Sequence, residues 1–290
     1  MPKTFLLFLA LAAAALIVTC SEESPETPVP PETIDQSSVE EQVDPRPIHE
    51  SFALTIEEID QLTSTLPDSI RAQIRSRPQE FLDLLSGVLD QEAVLTVLVD
   101  KSHPLSSTYE PTDLVFLRQY SDLSLDSNDH RLRSIVLDSL RRMVAAARED
   151  DVVLLISSTY RSYAYQDQLY RYWVDVEGQE RADQISARPG YSQHQLGTTI
   201  DFGCICTEMA QQPDGIWLSK HAWQYGFSLS YPNGYSDLTG YDYEPWHFRF
   251  IGMAASSLER NYFQGVQQYL LEFLHTNRES LARAYDAQSR

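Results

Sequence analysis

Two short polar stretches set the terms on which this chain can fold. They read Ser192-Gln-His194-Gln-Leu-Gly197-Thr-Thr-Ile-Asp201 and Glu244-Pro-Trp-His247-Phe-Arg249, and between them they hold two histidines and two acids. Imidazole nitrogen and carboxylate oxygen hold zinc well, and a catalytic zinc keeps three protein ligands and leaves its fourth position to water. His194, Asp201 and His247 make such a set. Glu244 is then free to act as the base that takes a proton from the bound water. Any fold that uses these residues must bring two separated stretches to one point.

Local chemistry supports that convergence. Gly197 lies where the chain must turn between His194 and Asp201, and the β-branched run Thr198-Thr199-Ile200 leading into Asp201 and Phe202 reads as a strand. Pro245 disfavours helical geometry at Glu244, so Glu244 to His247 reads as a loop entering a strand.

Four stretches in order carry a resemblance. The first motif resembles the Ser-x-His-x-x-Gly-x-Ala-x-Asp signature of the VanY-type D-alanyl-D-alanine carboxypeptidases, a peptidoglycan-trimming metallopeptidase family. The second resembles that family's Glu-x-x-His. Ser158-Thr159-Tyr160-Arg161-Ser162, with Gln166 following, is similar to its Ser-x-Tyr-Arg-Ser segment. Trp217-Leu218 through Tyr225-Gly226-Phe227, then Tyr231-Pro232, is similar to the stretch that joins the two metal motifs. The match covers roughly residues 90 to 255. Thr199 departs from it, standing where the pattern has Ala.

The resemblance implies a fold and a reaction. The fold is α+β, a small antiparallel sheet bearing the zinc site with helices packed around it and extra helices at the N-terminal side. The reaction is zinc-dependent hydrolysis of the C-terminal D-Ala from peptidoglycan stem peptides. Glu244 is the general base, and Arg161 faces the charge that develops on the carbonyl oxygen. Gln166 and Ser192 are polar contacts to the substrate's end. A D,D-dipeptidase or endopeptidase of the same superfamily, or a noncatalytic zinc-stabilised binding module, remains the alternative.

The chain has 290 residues with 42% hydrophobic content, enough for one sizeable core and small additions to it, so one metallopeptidase domain over residues 51–290 is the expectation. Its net charge of −20 argues against nucleic acid and against adhesion to anionic lipid. Lys3 precedes an apolar run from Phe5 to Val18 that fits the hydrophobic region of an export signal. Ile17-Val18-Thr19-Cys20 closes it and resembles a bacterial lipoprotein processing site, with Cys20 the lipidated residue and residues 1–20 the signal. An ordinary cleaved signal and an uncleaved anchor are the alternatives. All three place the body outside the cytoplasm, in a bacterial envelope. Residues 21–50, rich in Pro, Glu and Ser, read as a disordered tether. The expected partners are the stem peptide and, through the lipid, the membrane; the enzyme is expected to act as a monomer.

Elsewhere, Thr55 and Glu58 form a capping-box pattern ahead of a short helix, and more helix follows, broken at Pro67 and Pro78. Val94–Val99 and Val152–Ser157 read as buried strands, 131–148 as an amphipathic helix, and 163–176 as a helix stopped by Gly178. Closing helices follow Met253. If the strand runs on past Ile200, Cys204 and Cys206 face away from the metal, and a bridge across one residue is unfavourable, so free or reversibly oxidised thiols are expected. His49 falls in the tether. His275 falls in a late helical segment, His103, His130 and His221 show no acidic or His partner at ligand spacing, and all five read as structural or solvated. Tyr241, Tyr243, Trp246 and Phe248 read as core or as the wall of a cleft.

Overall fold

A computed structural model describes residues 46–288 of the chain, with side chains to residue 285. The signal, Cys20 and most of the tether lie outside the described residues. In chain order the elements begin with α1 (Ile56–Leu62), α2 (Asp68–Ser76) and α3 (Pro78–Asp90). Then come β1 (Leu114–Phe116), β2 (Ser124–Leu125), β3 (Arg131–Arg133), α4 (Leu137–Glu149), β4 (Leu155–Ser158), α5 (Tyr163–Glu177) and α6 (Gln179–Ile185). The second half runs β5 (Thr199–Phe202), α7 (Pro213–His221), β6 (Phe227–Leu229), α8 (Ser236–Thr239), β7 (His247–Phe250), α9 (Met253–Tyr262) and α10 (Gln267–Gln288).

The central sheet has the order β2-β4-β5-β7-β6. It is antiparallel except at the β2/β4 edge, where the pairing is parallel. Strand alternation divides its two faces chemically. Ile156, Ile200, Phe202, Phe227, Phe248 and Phe250 point one way and bury with Leu140, Met143 and Val144 of α4 and with Trp217 and Leu218 of α7. Thr199 and Asp201 of β5 and His247 and Arg249 of β7 then face the other way, as period-two geometry requires. The apolar half of each strand anchors the sheet, which leaves the polar half free to build a site.

A second apolar cluster joins the early helices to the end of the chain. Ile59, Ile70, Ile74, Phe81, Leu82 and Leu85 of α1 to α3 bury against Leu258 and Tyr262 of α9 and Leu270, Phe273 and Leu274 of α10. The Thr55/Glu58 capping box forms as read, with Glu58 N donating to Thr55 Oγ1 at 3.3 Å and Thr55 N donating to Glu58 Oε2 at 2.8 Å. Such a cap contributes about 1 kcal/mol. Among the described residues, no helix is long and apolar enough to cross a membrane.

Several expectations need correction. Val94–Val99 is not a strand: Ala93–Thr96 is a 3-10 turn. The Arg249 guanidinium binds its carbonyls, taking Leu95 O at 3.1 Å and Val97 O at 2.8 Å, so these groups are satisfied by a side chain and not by a ladder. The helix expected over 131–148 begins at Leu137, because Arg131–Arg133 pairs antiparallel with β1 in a separate two-stranded sheet. The strand expected over Val152–Ser157 is β4, and it alternates: Ile156 is fully buried while Leu155 is exposed. His49 is held by Asp83 of α3 at 2.9 Å, so the folded body starts before residue 51.

Cys204 and Cys206 are joined in a disulfide. Neither cysteine joins the His194, Asp201 and His247 group, as expected, but the thiols are not free: β5 stops at Phe202, and Gly203, at φ +60°, turns the chain. The bend brings the two Cα atoms to 5.3 Å, inside the range a disulfide spans.

Candidate metal centre

Three elements deliver the predicted ligands. His194 lies in a 3-10 turn, Gln193–Leu196, which begins at Ser192, whose Oγ accepts from His194 N at 3.3 Å. Gly197 ends the turn in the left-handed region at φ +71°, and a Cβ there would come 3.0 Å from both Arg133 Cγ and Leu114 Cδ2. Only glycine turns the chain at that point without displacing them. Asp201 and His247 are direct cross-strand partners on β5 and β7, and Ser158 of β4 is the partner of Asp201 on its other side. Glu244 sits in the loop entering β7, its amide bonded to Tyr231 O at 3.1 Å.

The predicted set converges. Donor atoms of His194, Asp201 and His247 lie within 4.8 Å of one another, and all three residues are buried. His194 Nε2 is 3.2 Å from Asp201 Oδ2, His247 Nδ1 is 3.1 Å from Asp201 Oδ1, and the two imidazole rings stand perpendicular. His194 Nδ1 donates to the Thr159 carbonyl at 2.6 Å, which leaves Nε2 as the lone-pair nitrogen facing the acid. Glu244 Oε2 approaches His247 Nδ1 at 3.4 Å. Arg161 donates from Nη2 to Asp201 Oδ2 at 2.5 Å and from Nε to Ser158 Oγ at 3.0 Å.

The electrostatics are those of a cation site. Burial, with the Arg161 charge beside it, lowers the His194 imidazole to about 4, so at neutral pH it is an uncharged ligand. Burial alone would raise the Asp201 carboxyl, but the neighbouring His194 and Arg161 outweigh it and hold it well below the usual range. At neutral pH the persisting charge in that pair is that of Arg161. Burial first, and the nearby Asp201 charge second, push Glu244 well above its ordinary value. A divalent cation among these groups would pull it back down. His194 Nε2, Asp201 Oδ1 and His247 Nε2 are buried without a hydrogen-bond partner, a costly arrangement for polar atoms. The His-Asp-His donor set is one that zinc accepts, so the residues fit the metal.

These residues open onto a cleft of about 160 Å³ lined also by Arg161, Ser192 and Trp173. Tyr231 and Tyr241 line it as well; Tyr231 packs its ring 4.7 Å from those of His247 and Tyr241. Trp246 joins the wall, whereas Phe248 points to the apolar face as core. Gln166 is not at the surface of the cleft. It is buried behind it, with Nε2 on Ala187 O at 2.8 Å and Ser186 Oγ at 3.4 Å, where it holds the wall segment that carries Ser186 and Ala187. Sequence reasoning missed Ser158 and the Thr159 carbonyl as orienting groups, and the wall residues Leu169 and Trp173. The last two recur at helical spacing on α5, a signal open to a sequence reading but shared by any core helix. Of the other histidines, His103 and His130 do have acidic partners, Asp100 at 2.8 Å and Asp126 at 2.6 Å, and among the described residues neither belongs to a group able to hold a metal.

Comparison with known proteins agrees with this geometry. The family model VanY, described as D-alanyl-D-alanine carboxypeptidase, matches residues 129–253. A bifunctional D-Ala-D-Ala dipeptidase and carboxypeptidase, VanXYC of Enterococcus gallinarum, is 32% identical over 186 residues, 61% of this chain and 92% of the relative. The chain belongs to the VanY-type carboxypeptidase family. The putative carboxypeptidase YodJ of Bacillus subtilis is a further family relative, 30% identical across 65% of this chain and 71% of its own. Among solved structures, the LdcB LD-carboxypeptidase superposes with a TM-score of 0.56 at 30% identity, covering 61% of this chain and 86% of that one. A VanY D,D-pentapeptidase in complex with Zn(II) superposes with a TM-score of 0.52 at 27% identity, covering 62% and 99%. The protein is thus a peptidase, and zinc is the metal of its His-Asp-His group.

Proposed function

We propose that the protein is a D,D-carboxypeptidase that removes the C-terminal D-Ala from peptidoglycan stem peptides. The observation that carries this reading is the placement of Glu244: a buried carboxylate 3.4 Å from the His247 ring, in the same cleft as the three ligands and Arg161. An acid so placed is in reach of the reacting groups. When bound to His194, Asp201 and His247, zinc supplies a water of lowered pKa and a Lewis acid for the scissile carbonyl. Glu244 takes the proton of the attacking water on a carboxylate oxygen and passes it to the departing amine.

Arg161 has its guanidinium fixed by Ser158 and Asp201, so its charge is aimed before substrate arrives. It faces the negative charge that develops on the carbonyl oxygen, where a lost donor typically costs about 2.7 to 4 kcal/mol. Ser192 lines the cleft and contacts the substrate's end, while Gln166 acts on the substrate through the wall it holds. The similarity to the LdcB LD-carboxypeptidase supports a second reading, removal of D-Ala after an L-configured centre in a shorter stem. The sequence before residue 46 supports an extracytoplasmic enzyme cleaved just before Cys20, lipidated on that cysteine and carried on a tether.

Glu244→Gln tests the mechanism. Zinc content should stay near that of the wild type while turnover on a stem pentapeptide falls by ~10²- to 10⁴-fold. Loss of zinc would make Glu244 a ligand, and retained turnover would remove the proposed mechanism. Mass-spectrometric products from pentapeptide and tetrapeptide separate the D,D from the L,D reading, and release of D-Ala-D-Ala would identify a dipeptidase.

A further inference from the structure

The loop after the Asp201 strand is held with more care than its length requires. Gly203 N donates to Leu155 O at 2.8 Å, and the Ser157 hydroxyl donates to Gly203 O at 2.6 Å, so β4 grips the start of the loop from both sides. A Cβ on Gly203 would come 2.4 Å from Asp214 Oδ2, which shows how closely the loop passes the first turn of α7. The disulfide then closes Cys204-Ile205-Cys206 into a small ring. Ile205, the residue between the bridged cysteines, is 56% exposed and lines the metal cleft beside Leu169, Trp173 and Trp246.

Exposing an isoleucine forfeits the burial free energy its side chain would otherwise gain, and a ring this small gives it no route to fold away. The floor of the cleft is a different environment: Ser192, Tyr231, Tyr241 and the ligands are all buried. Ile205 therefore stands at the mouth. In a carboxypeptidase the leaving residue occupies the closed end, and the remainder of the peptide passes out through the mouth. We infer that Ile205 is a specificity-determining contact that packs against the side chain preceding the scissile bond and selects an apolar group there, with the Cys204–Cys206 bridge presenting it. The inference rests on the carboxypeptidase reading and narrows its substrate: a peptide ending in two alanyl residues is taken in preference to one whose penultimate residue lacks a side chain.

Two acylated peptides identical except for their ends, D-Ala-D-Ala and Gly-D-Ala, provide the test, with kcat and KM measured separately. The wild type should favour the alanyl peptide. Ile205→Ala should lose roughly 3- to 10-fold in kcat/KM on the alanyl peptide, chiefly through KM, while the glycyl peptide changes by less than about twofold. The double variant Cys204→Ser, Cys206→Ser should show the same loss of selectivity. So should wild type treated with a water-soluble phosphine, which is oxidised to its oxide as the disulfide is reduced to two thiols; the serine variant should not respond to it. Zinc content equal across all variants excludes damage to the metal site. Equal losses on both peptides, or no loss on either, overturn the role of Ile205, and unchanged selectivity in the serine variant overturns the role of the bridge. A wild type that holds zinc and cleaves neither peptide instead overturns the D,D-carboxypeptidase reading, and this inference with it.

Discussion

Glu259 provides a test of the electrostatics away from the metal. It lies on α9 with 5% of its surface exposed, and its Oε2 has no hydrogen-bond partner. Burial pushes its carboxyl up from 4.5 to about 8, with the Ser228 hydroxyl and the Arg260 charge only partly opposing this. The sign follows from proton counts. Below about pH 4.5 both folded and unfolded states hold the proton, and the residue costs nothing. Between 4.5 and 8 the unfolded chain releases its proton while the folded protein keeps it, so stability falls as pH rises, at up to about 1.4 kcal/mol per pH unit. The accumulated cost is about 3 kcal/mol at pH 7 and levels off above pH 8. Glu259→Gln keeps the size and abolishes the titration. Urea unfolding of the zinc-loaded protein at a series of pH values should show the stability difference, variant minus wild type, growing by about 2 to 3 kcal/mol between pH 5 and pH 7. Taking the difference cancels every other titrating group. Parallel stability curves over that interval would refute the argument, since a carboxylate that ionises at no cost is not desolvated.

Arg161→Ala should retain its zinc, because the guanidinium on Asp201 competes with a cation for that carboxylate, while turnover falls by ~10²- to 10³-fold in steady-state kinetics. Arg249→Ala should destabilise the fold by about 3 kcal/mol or more in urea titrations, since it empties a fully buried volume and strips the Leu95 and Val97 carbonyls of their donor. Cys20→Ser should abolish metabolic lipid labelling and move the protein from membranes to a soluble extracytoplasmic fraction. Unchanged membrane retention would favour an uncleaved anchor.

The metal ligands were readable because their chemistry is local and their types are few. His194, Asp201 and His247 are the right donors, and the intervening Gly197 and β-branched run make the local geometry nearly unavoidable. Interior elements with a strong period were equally legible: Leu140, Met143 and Ala147 recur on α4 at helical spacing and are all buried. The Val94–Val99 run was misread because a short apolar stretch has no period to separate strand from turn, and what decided it was a guanidinium from residue 249 bonding its carbonyls. The cysteine bridge was misread for a related reason: no local pattern shows that Gly203 ends the strand and turns the chain just before Cys204.

The sequence by itself determined which side chains could hold zinc, which nearby acid was left over from that set, and that residues 137–149 would bury one helical face. These follow from residue type and from the helical period, which need no knowledge of the rest of the chain. Only the tertiary structure decided that Arg161 is aimed by Ser158 and Asp201, that Gln166 lies behind the cleft wall, and that Ile205 is carried to its mouth. Each of these depends on which strands become neighbours and in what register. Register is set by the summed burial of distant residues, and no local stretch of sequence contains that sum.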